Sequence, residues 1–442
     1  MPRPKVLFLS PVIPRSTGGG TAMRARRVLE TLQSRFDVFL VIADIIRGET
    51  GQDVPSELDD LVVGKLFFSV DQSGSYVFRS VTKIRSVQVR LILNALLPRA
   101  LFQTMWDRRA RALVADAFGA VRFDAIHAFR LNLAPMAVHL AKAQRGRKPA
   151  LFLDIDDFES KATRRAADLL RGRMGRQWYL VERLEAKKFE LEERRLFHKF
   201  DCVFVCSTND RHEIERRYGY RSVSVLPNTV ALPTVPNDLH RDHDRIFTLL
   251  FVGSMAYVPN EDAVLFFCDE VLPILRRIAP GRFRFDIVGK NPTGAVRSLG
   301  NIAEVTVVGE VPDVAPHYRA CDIVLAPIRT GGGTRIKILE AFSFRKPVVS
   351  TTIGAEGIDV TPGKDILIGD DPEALARACH RLMVDETEYE NIADAGLRLV
   401  TSRYSPKALE TYLFTAYDAT LRSVASRVLA NEHGVRSDAC DG

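Results

Sequence analysis

Several things are scarce in this 442-residue chain, and each scarcity narrows what it can be. No run of eighteen apolar residues occurs, so no segment reads as a helix crossing a bilayer. The six cysteines (Cys202, Cys206, Cys268, Cys321, Cys379 and Cys440) are scattered and lack metal-ligand spacing beside histidine, which points to ordinary buried thiols in a reducing cytoplasm. The start, "MPRPKVLFLSPVIPRS", is basic and then apolar like a secretory signal. Its apolar part is short, is interrupted by Pro11 and Pro14 and lacks a small-residue cleavage site, so it reads as a first strand. No G-x-G-x-x-G fingerprint opens the first helix. Gly18, Gly19 and Gly20 begin eight residues after the strand ends at Ser10, whereas a dinucleotide site needs its glycines almost at once. Asp44, closing the second strand, would still suit a ribose-binding acid, so an NAD-dependent oxidoreductase stays as one alternative.

What is present is the composition of a globular protein: 46% hydrophobic residues, mixed charges, and more chain than one core usually supports. Two domains are expected. The net charge of +7 is concentrated. Between Arg79 and Arg111 stand eight Lys or Arg against the single acid Asp107, interleaved with Val87, Ile92, Leu96, Phe102 and Trp106. Lys161, Arg164, Arg165, Arg171, Arg173 and Arg176 form a second basic cluster. These stretches are either solvated helix faces or a surface that meets anionic lipid or an anionic acceptor. Nucleic acid is disfavoured, because no recognition module surrounds them.

Short apolar runs alternate with helical patterns through both halves. Strands are expected at Lys5–Ser10, Asp37–Asp44, Asp124–Phe129, Ala150–Ile155, Cys202–Ser207 and Ser222–Leu226, with helices at Thr21–Ser34 and Leu133–Lys142 and a long charged one over Glu159–Lys199. The proline-rich, aperiodic "PNTVALPTVPNDLHRDHDR" reads as a linker. The alternation then restarts at Phe247–Gly253, a helix near Asp262–Ile278, Phe283–Gly289, Val305–Val311, Ile323–Ile328, a helix over Arg335–Phe344, Pro347–Thr352 and Ile366–Gly369. The fold class is therefore α/β, two doubly wound domains in series. The expected boundaries are an N-terminal domain over 1–228, a linker over 229–246, a C-terminal domain over 247–404, a returning helix over 405–425 and a flexible tail over 426–442.

In open α/β sheets ligands sit beyond the carboxyl ends of the strands, so a cleft between two such domains is the expected site. The loops that would line it hold Gly18–Gly20, His127 and Arg130, then Gly253, Ser254 and Asn260, then Gly309 and Val311, and finally "RTGGGTRIKILE". In this last stretch Gly331, Gly332, Gly333 and Thr334 precede a helix, so bare backbone and unpaired N–H groups favour an anion. Arg335 and Lys337 fall in the first turn, the unfavourable end of the helix dipole for cations. A diphosphate would compensate them, and Glu340, about a turn on, would accept from two vicinal hydroxyls such as those of a ribose. A mere tight turn is the plainer reading of the glycines. The acids of "DIDDFES", with Asp154, Asp156 and Asp157, superficially resemble a metal-binding Asp-x-Asp. Asp156 and Asp157 either touch an acceptor or cap the helix that follows.

The second half resembles the retaining glycosyltransferases of family 4. The matching pieces, in the family's order, are "LLFVGSMAYVPNEDAVLFFCDEVLP", "FDIVGKNP", "VTVVGEVPDVAPHYRACDIVLAP", "GGGTRIKILEAFSFRKPVVST" and "GAEG". In the first half the glycine loop, "FDAIHAF", "VFVCSTND" and "VLPN" match more loosely. The resemblance implies the GT-B architecture, two Rossmann-like domains facing each other across a cleft, with a last helix crossing back. It implies a nucleotide-diphosphate sugar as co-substrate, no other cofactor and no metal, and a glycan or lipid-linked acceptor used in cell-surface polysaccharide or glycolipid synthesis. It further implies retention at the anomeric carbon. Beside it, the cysteines favour a cytoplasmic protein, and the basic apolar stretch over 79–111 favours peripheral contact with the inner membrane face and a lipid-linked acceptor there. Glu340 occupies the second position of the family's Glu-x7-Glu motif, but the first position is Gly332. The Glu usually found there contacts the donor sugar, so a non-catalytic binding module is a further alternative. Many members place an Arg and a Lys from loops after the first strands of the second domain on the diphosphate. The first such loop here, "GSMAYVPN", has no cation, which makes Arg335, Lys337 and Lys290 the replacements. His127 resembles a family histidine near the sugar, and the residue two further on, another histidine in the commonest form, is Phe129; a histidine ending a strand is as readily structural, and Arg130 is an alternative partner for the acceptor or a phosphate.

Overall fold

The computed structural model describes residues 2–16, 19–44, 54–69, 80, 81, 83, 84, 86, 89, 92, 93, 96, 97, 100–104, 106, 108–144, 146, 148–156, 158–170, 176–234, 246–331 and 333–437. It divides into two compact units, Met1–Pro227 with Leu409–Gly442, and Asn228–Ala408.

The first unit is built on a parallel sheet of seven strands in the order β3-β2-β1-β4-β5-β6-β7. These are β1 (Lys5–Ser10), β2 (Asp37–Asp44), β3 (Gly64–Ser69), β4 (Ala125–Phe129), β5 (Ala150–Ile155), β6 (Cys202–Val205) and β7 (Val223–Val225). Its helices are α1 (Gly20–Gln33), α2 (Arg108–Phe118), α3 (Ala134–Ala143), α4 (Glu159–Leu170), α5 (Arg176–Phe197) and α6 (Thr208–Tyr218). Successive strand side chains point to opposite faces, so an unbroken apolar strand feeds two cores. Leu7, Leu9, Phe39 and Val41 enter one, and Val6, Phe8, Val38 and Leu40 the other. The strand β3 was not expected from the sequence. It pairs only with β2 at the sheet edge, and only Phe68 in it is buried, so it lacks the long apolar run of a central strand. The single helix expected over Glu159–Lys199 is two, α4 and α5.

The second unit repeats the design with β8 (Phe247–Val252), β9 (Phe283–Val288), β10 (Val305–Gly309), β11 (Ile323–Ala326), β12 (Val348–Ser350) and β13 (Leu367–Ile368), all parallel in the order β10-β9-β8-β11-β12-β13. Its helices are α7 (Val258–Phe266), α8 (Leu272–Ile278), α9 (Gly294–Ser298), α10 (Ala315–Ala320), α11 (Ile336–Ser343), α12 (Pro372–Val384) and α13 (Glu386–Arg403). The helix expected near Asp262–Ile278 starts earlier, and a π-turn over Phe267–Val271 joins α7 to α8. Pro273 explains the turn: it has no N–H to donate and its ring would strike the carbonyl four residues back, so the ladder widens.

The last helix, α14 (Pro406–Ser437), is longer than the stretch expected, so the tail assigned to 426–442 is helical as far as Ser437. From Leu409 onward it belongs to the first unit, where Leu413, Phe414 and Tyr417 join the core behind β1. The residues expected to begin the linker are held instead by the second unit. Val230 is buried there, and its N–H donates to the Tyr404 carbonyl at 3.1 Å. In each sheet the chain reverses its direction of growth beside the first strand, between β1 and β4 and between β8 and β11. Those two switch points are where an open α/β sheet offers a ligand crevice.

Candidate functional site

At the switch point of the second unit, β8 runs into Gly253 and the loop after β11 runs into α11. A side chain at Gly253 would meet Asn260 Nδ2 at 2.7 Å and Lys337 Nζ at 3.1 Å, so any larger residue there would displace the Asn260 and Lys337 side chains. The Asn260 side chain bridges this turn: its Nδ2 donates to the Ser254 carbonyl at 2.9 Å, and its Oδ1 accepts from Lys337 Nζ at 2.9 Å. The ammonium also lies 3.7 Å from the centroid of the Phe251 ring. Burial, aided by the nearby Arg335 charge, holds the Lys337 pKa well below the ordinary lysine value, with Glu340 opposing. Lys337 is in the first turn of α11, as expected, and its side chain is buried against the β8 turn, the loop whose sequence has no cation of its own.

The helix α11 turns Ile338, Leu339, Ala341 and Phe342 into the core, which sets its rotation. Arg335 is its cap residue rather than a first-turn residue, and no side chain caps the helix. The Arg335 guanidinium donates from Nη1 to Gly333 O at 2.9 Å and from Nη2 to Thr330 O at 3.3 Å, bracing the glycine loop from inside. Gly331 has φ of 108°, left-handed, and a Cβ there would touch Tyr257 Oη at 3.0 Å. Gly332 lies outside the described residues. The Thr334 hydroxyl oxygen is buried without a hydrogen-bond partner among the described residues, a donor and acceptor held ready beside the glycines. Ahead of the loop, Arg329 makes a bidentate pair with Asp262 (2.8 and 3.0 Å) and lies 4.2 Å from the Phe266 ring centroid, fixing the loop to α7.

Glu340 is part-buried, and its Oε2 accepts from Tyr318 Oη at 2.7 Å. Burial pushes its carboxyl up, while that hydrogen bond and the Lys337 charge pull the other way. Tyr318, on α10, is fully buried and stacks on Phe344 at 5.4 Å. Nothing in the motif pointed to Tyr318; an aromatic in "APHYRA" reads simply as core. Gly309 closes β10, and its carbonyl accepts from Gly289 N at 2.7 Å, while Val311 packs against the core beneath α11. Lys290 is exposed beyond β9. The structure thus brings Gly253, Ser254, Asn260 and Lys337 together, with Arg335 and Glu340 on the same short helix start.

The residues singled out in the first unit behave differently. His127 is fully buried on β4: its Nδ1 lies 2.8 Å from Tyr417 Oη and its Nε2 3.8 Å from Asp154 Oδ2. Phe8, Phe152, Phe204 and Tyr417 surround the ring, and Phe152 and Tyr417 stack at 3.9 Å. Burial lowers the His127 pKa. Its expected catalytic place is corrected: a ring enclosed on all sides by core aromatics is a structural histidine. Asp154 takes the Arg24 guanidinium at 2.7 Å with both side chains buried. Burial alone would raise this carboxyl, but the Arg24 charge holds it below the usual range.

Arg130, in the left-handed region at φ 69°, pairs with Asp156 at 2.8 Å and Glu159 at 2.7 Å. Asp156 also accepts from Thr21 Oγ1 at 3.4 Å, so it ties β5 to the start of α1 rather than capping the helix that follows. Gly19 is the cap residue of α1, and Gly20 its first residue. Gly18 and Asp157 lie outside the described residues, as does much of 79–111. In the second basic cluster Lys161 pairs with Asp210 and Glu213, and Arg164 with Glu190, as a solvated helix face would.

Residues 246–385 match the family model Glycosyl transferases group 1. The matched stretch lies within the second unit. Among curated proteins, the lipopolysaccharide core biosynthesis mannosyltransferase LpsB of Rhizobium meliloti is 24% identical over 57% of this chain and 81% of its own length. An uncharacterized 44.6 kDa protein in the cps region of Klebsiella pneumoniae is 22% identical over 38% of this chain; the match spans 45% of that relative's length. Sucrose-phosphate synthase from Thermosynechococcus elongatus superposes with a TM-score of 0.64 at 16% identity, covering 95% of this chain and 100% of its own. The Anabaena HepE protein in complex with UDP-glucose does so with 0.59 at 15% identity, covering 94% and 99%. The two parallel Rossmann-like sheets are those of the GT-B glycosyltransferase fold.

Proposed function

We propose that the protein is a retaining, metal-independent glycosyltransferase of family 4 type that moves a sugar from a nucleotide-diphosphate sugar to a glycan or lipid-linked acceptor, in cell-surface polysaccharide or glycolipid synthesis. The observation that carries this reading is Lys337. The turn after β8, where family members keep a diphosphate-binding cation, has none in its own sequence, and α11 delivers Lys337 Nζ to it at 2.9 Å from Asn260. In this reading the donor's diphosphate lies against the glycine-loop amides, Arg335 and Lys337, while Glu340 takes the ribose hydroxyls. Charge builds on the leaving diphosphate in the transition state, so fixed cations there lower the barrier directly. An anion beside Lys337 draws its proton back, reversing the effect of burial. The leaving phosphate then helps to deprotonate the acceptor on the same face, and no side-chain nucleophile is needed. The LpsB and HepE likenesses support a sugar nucleotide as donor. The exposed apolar side chains of Ile92 and Leu96 in the basic stretch support peripheral contact with the cytoplasmic face of an anionic membrane.

A thermal-shift panel of uridine, guanosine and adenosine diphosphates and their sugars tests the reading, because a ligand bound to the native state raises the melting point. One nucleotide is expected to stabilise the protein and to do so less in Glu340→Ala; no shift with any of them overturns it. The substitution of Glu by Gly332 favours a second reading, a binding module without turnover. Transfer or hydrolysis of the stabilising sugar nucleotide removes that second reading.

A further inference from the structure

The first unit has a cavity of about 370 Å³ that the donor site does not involve. Its walls come from α2, α3 and the end of α5, and its lining includes Trp106, Arg111, His139, Lys142, Arg195 and Lys199. Among the described lining residues none is Asp or Glu. Arg195 pairs with Glu192 at 2.9 Å, but neither Lys142 nor Lys199 has an ion pair among the described residues. Beneath the cations the floor is apolar, with Met136 and Leu196 almost fully buried. Trp106 is held in place: its Nε1 donates to Asn132 O at 3.2 Å, and its ring meets Phe68 edge-on at 5.6 Å.

Lys142 from α3 and Lys199 just past α5 bring two like charges to one hollow beside Arg111 and Arg195, which costs repulsion that a bound anion offsets. His139 records that field. Some burial, then the charges of Arg111 and Lys142, hold its pKa below the ordinary histidine value. A bound anion would remove the cost. A phosphate group suits the arrangement, since Arg forks and Lys ammonium groups are its usual donors. The volume falls within the range of small-ligand sites and exceeds what a single ion needs. An aromatic wall beside the charges accommodates an organic body attached to the phosphate.

We propose that this cavity is a second anion site that binds a phosphate or diphosphate ester. The shared chemistry has two sources, the headgroup of an anionic phospholipid and a soluble phosphorylated compound. The site stands on this unit's own side chains and does not depend on the donor reading.

The full chain with Trp178→Phe leaves Trp106 as the sole tryptophan, a reporter inside the cavity. Titration with inorganic pyrophosphate is expected to change its emission saturably. In the charge-reversed Lys142→Glu/Lys199→Glu pair the affinity should fall at least tenfold. Both lysines are exposed, so the fold should survive; the milder Lys142→Gln/Lys199→Gln pair, expected to lose about three- to fivefold, covers the case in which it does not. Sedimentation with vesicles of phosphatidylcholine, with and without phosphatidylglycerol, separates the sources. Binding only to the anionic vesicles, competed by pyrophosphate and lost in the charge-reversed pair, assigns a lipid headgroup. Pyrophosphate binding without vesicle binding assigns a soluble ligand. No saturable change in Trp106 emission, or an affinity unchanged in both lysine pairs, overturns the proposal.

Discussion

The two units bury charge in opposite ways. In the first, Arg24 is enclosed with a carboxylate of its own: Asp154 at 2.7 Å, with the Leu226 carbonyl at 2.8 Å on the same guanidinium nitrogen. In the second, Lys337 is buried against the Asn260 amide, the Arg335 guanidinium donates to the Gly333 and Thr330 carbonyls, and Glu340 on the same helix is held by Tyr318. The first arrangement is closed, each charge answered by the chain itself, and belongs to architecture. In the second, burial and then the Arg335 charge lower the proton affinity of Lys337, whose ammonium has an amide and an aromatic ring against it and no carboxylate partner among the described residues. Perturbed groups of this kind mark functional sites more often than satisfied pairs do.

The largest effect expected from this contrast is on stability, in the first unit. Arg24→Ala leaves Asp154 buried and unpaired, which should cost about 3–5 kcal/mol. Chemical denaturation measures it, and a loss below about 1 kcal/mol would break the distinction between a closed pair and an open site.

In the second unit the larger effect should fall on turnover. Arg335→Ala and Lys337→Ala are each expected to slow transfer on the order of 100-fold, about 3 kcal/mol of transition-state stabilisation. Unchanged rates in both would withdraw their assignment. Lys337→Met should at the same time raise the melting point at neutral pH. Because burial depresses the folded pKa of Lys337, the unfolded chain binds more protons between that value and 10.5. Wild-type stability therefore rises with pH across this window, and the methionine variant should lack the rise.

Glu193 is the mirror case, a buried carboxyl whose hydrogen bonds come from neutral groups. It accepts from the Ser160 amide at 3.0 Å, Ser160 Oγ at 2.7 Å and Tyr218 Oη at 2.7 Å. Burial pushes its pKa up from 4.5 to about 6. The folded state binds the extra proton, so its contribution is complete below pH 4.5 and is lost as pH rises past about 6. Denaturation at several pH values should show wild type losing about 2 kcal/mol across this window relative to Glu193→Gln. Parallel curves would contradict it.

The smallest effect tests Glu340. Its change to Ala should weaken nucleotide binding about tenfold, near 1.4 kcal/mol, while leaving the fold intact; calorimetry reads it. Equal affinity would move the ribose contact elsewhere.

Motif reading singled out Glu340, the glycine loop and Asn260 because these are local in the chain: a strand end, bare backbone, a helix start. It misplaced His127 for the same reason. A histidine closing a strand looks available until Tyr417, 290 residues later, covers it. Tyr318 escaped notice because its partner Glu340 is on another helix, and Asp156 turned out to serve α1 through Thr21 rather than its own helix. Chain-local spacing also failed at β3, where an edge strand needs little burial.

By itself the amino-acid order determined two runs of alternating strands and helices, the proline-rich break between them and a glycine loop feeding a cationic helix start, because backbone preference and apolar period act over a few residues. Only the tertiary structure decided that Lys337 reaches Asn260, 77 positions upstream, that Arg335 braces its own loop and that His127 is core. Burial and charge pairing are settled by whichever distant residues the packing brings within a few ångströms, and spacing along the chain carries no record of them.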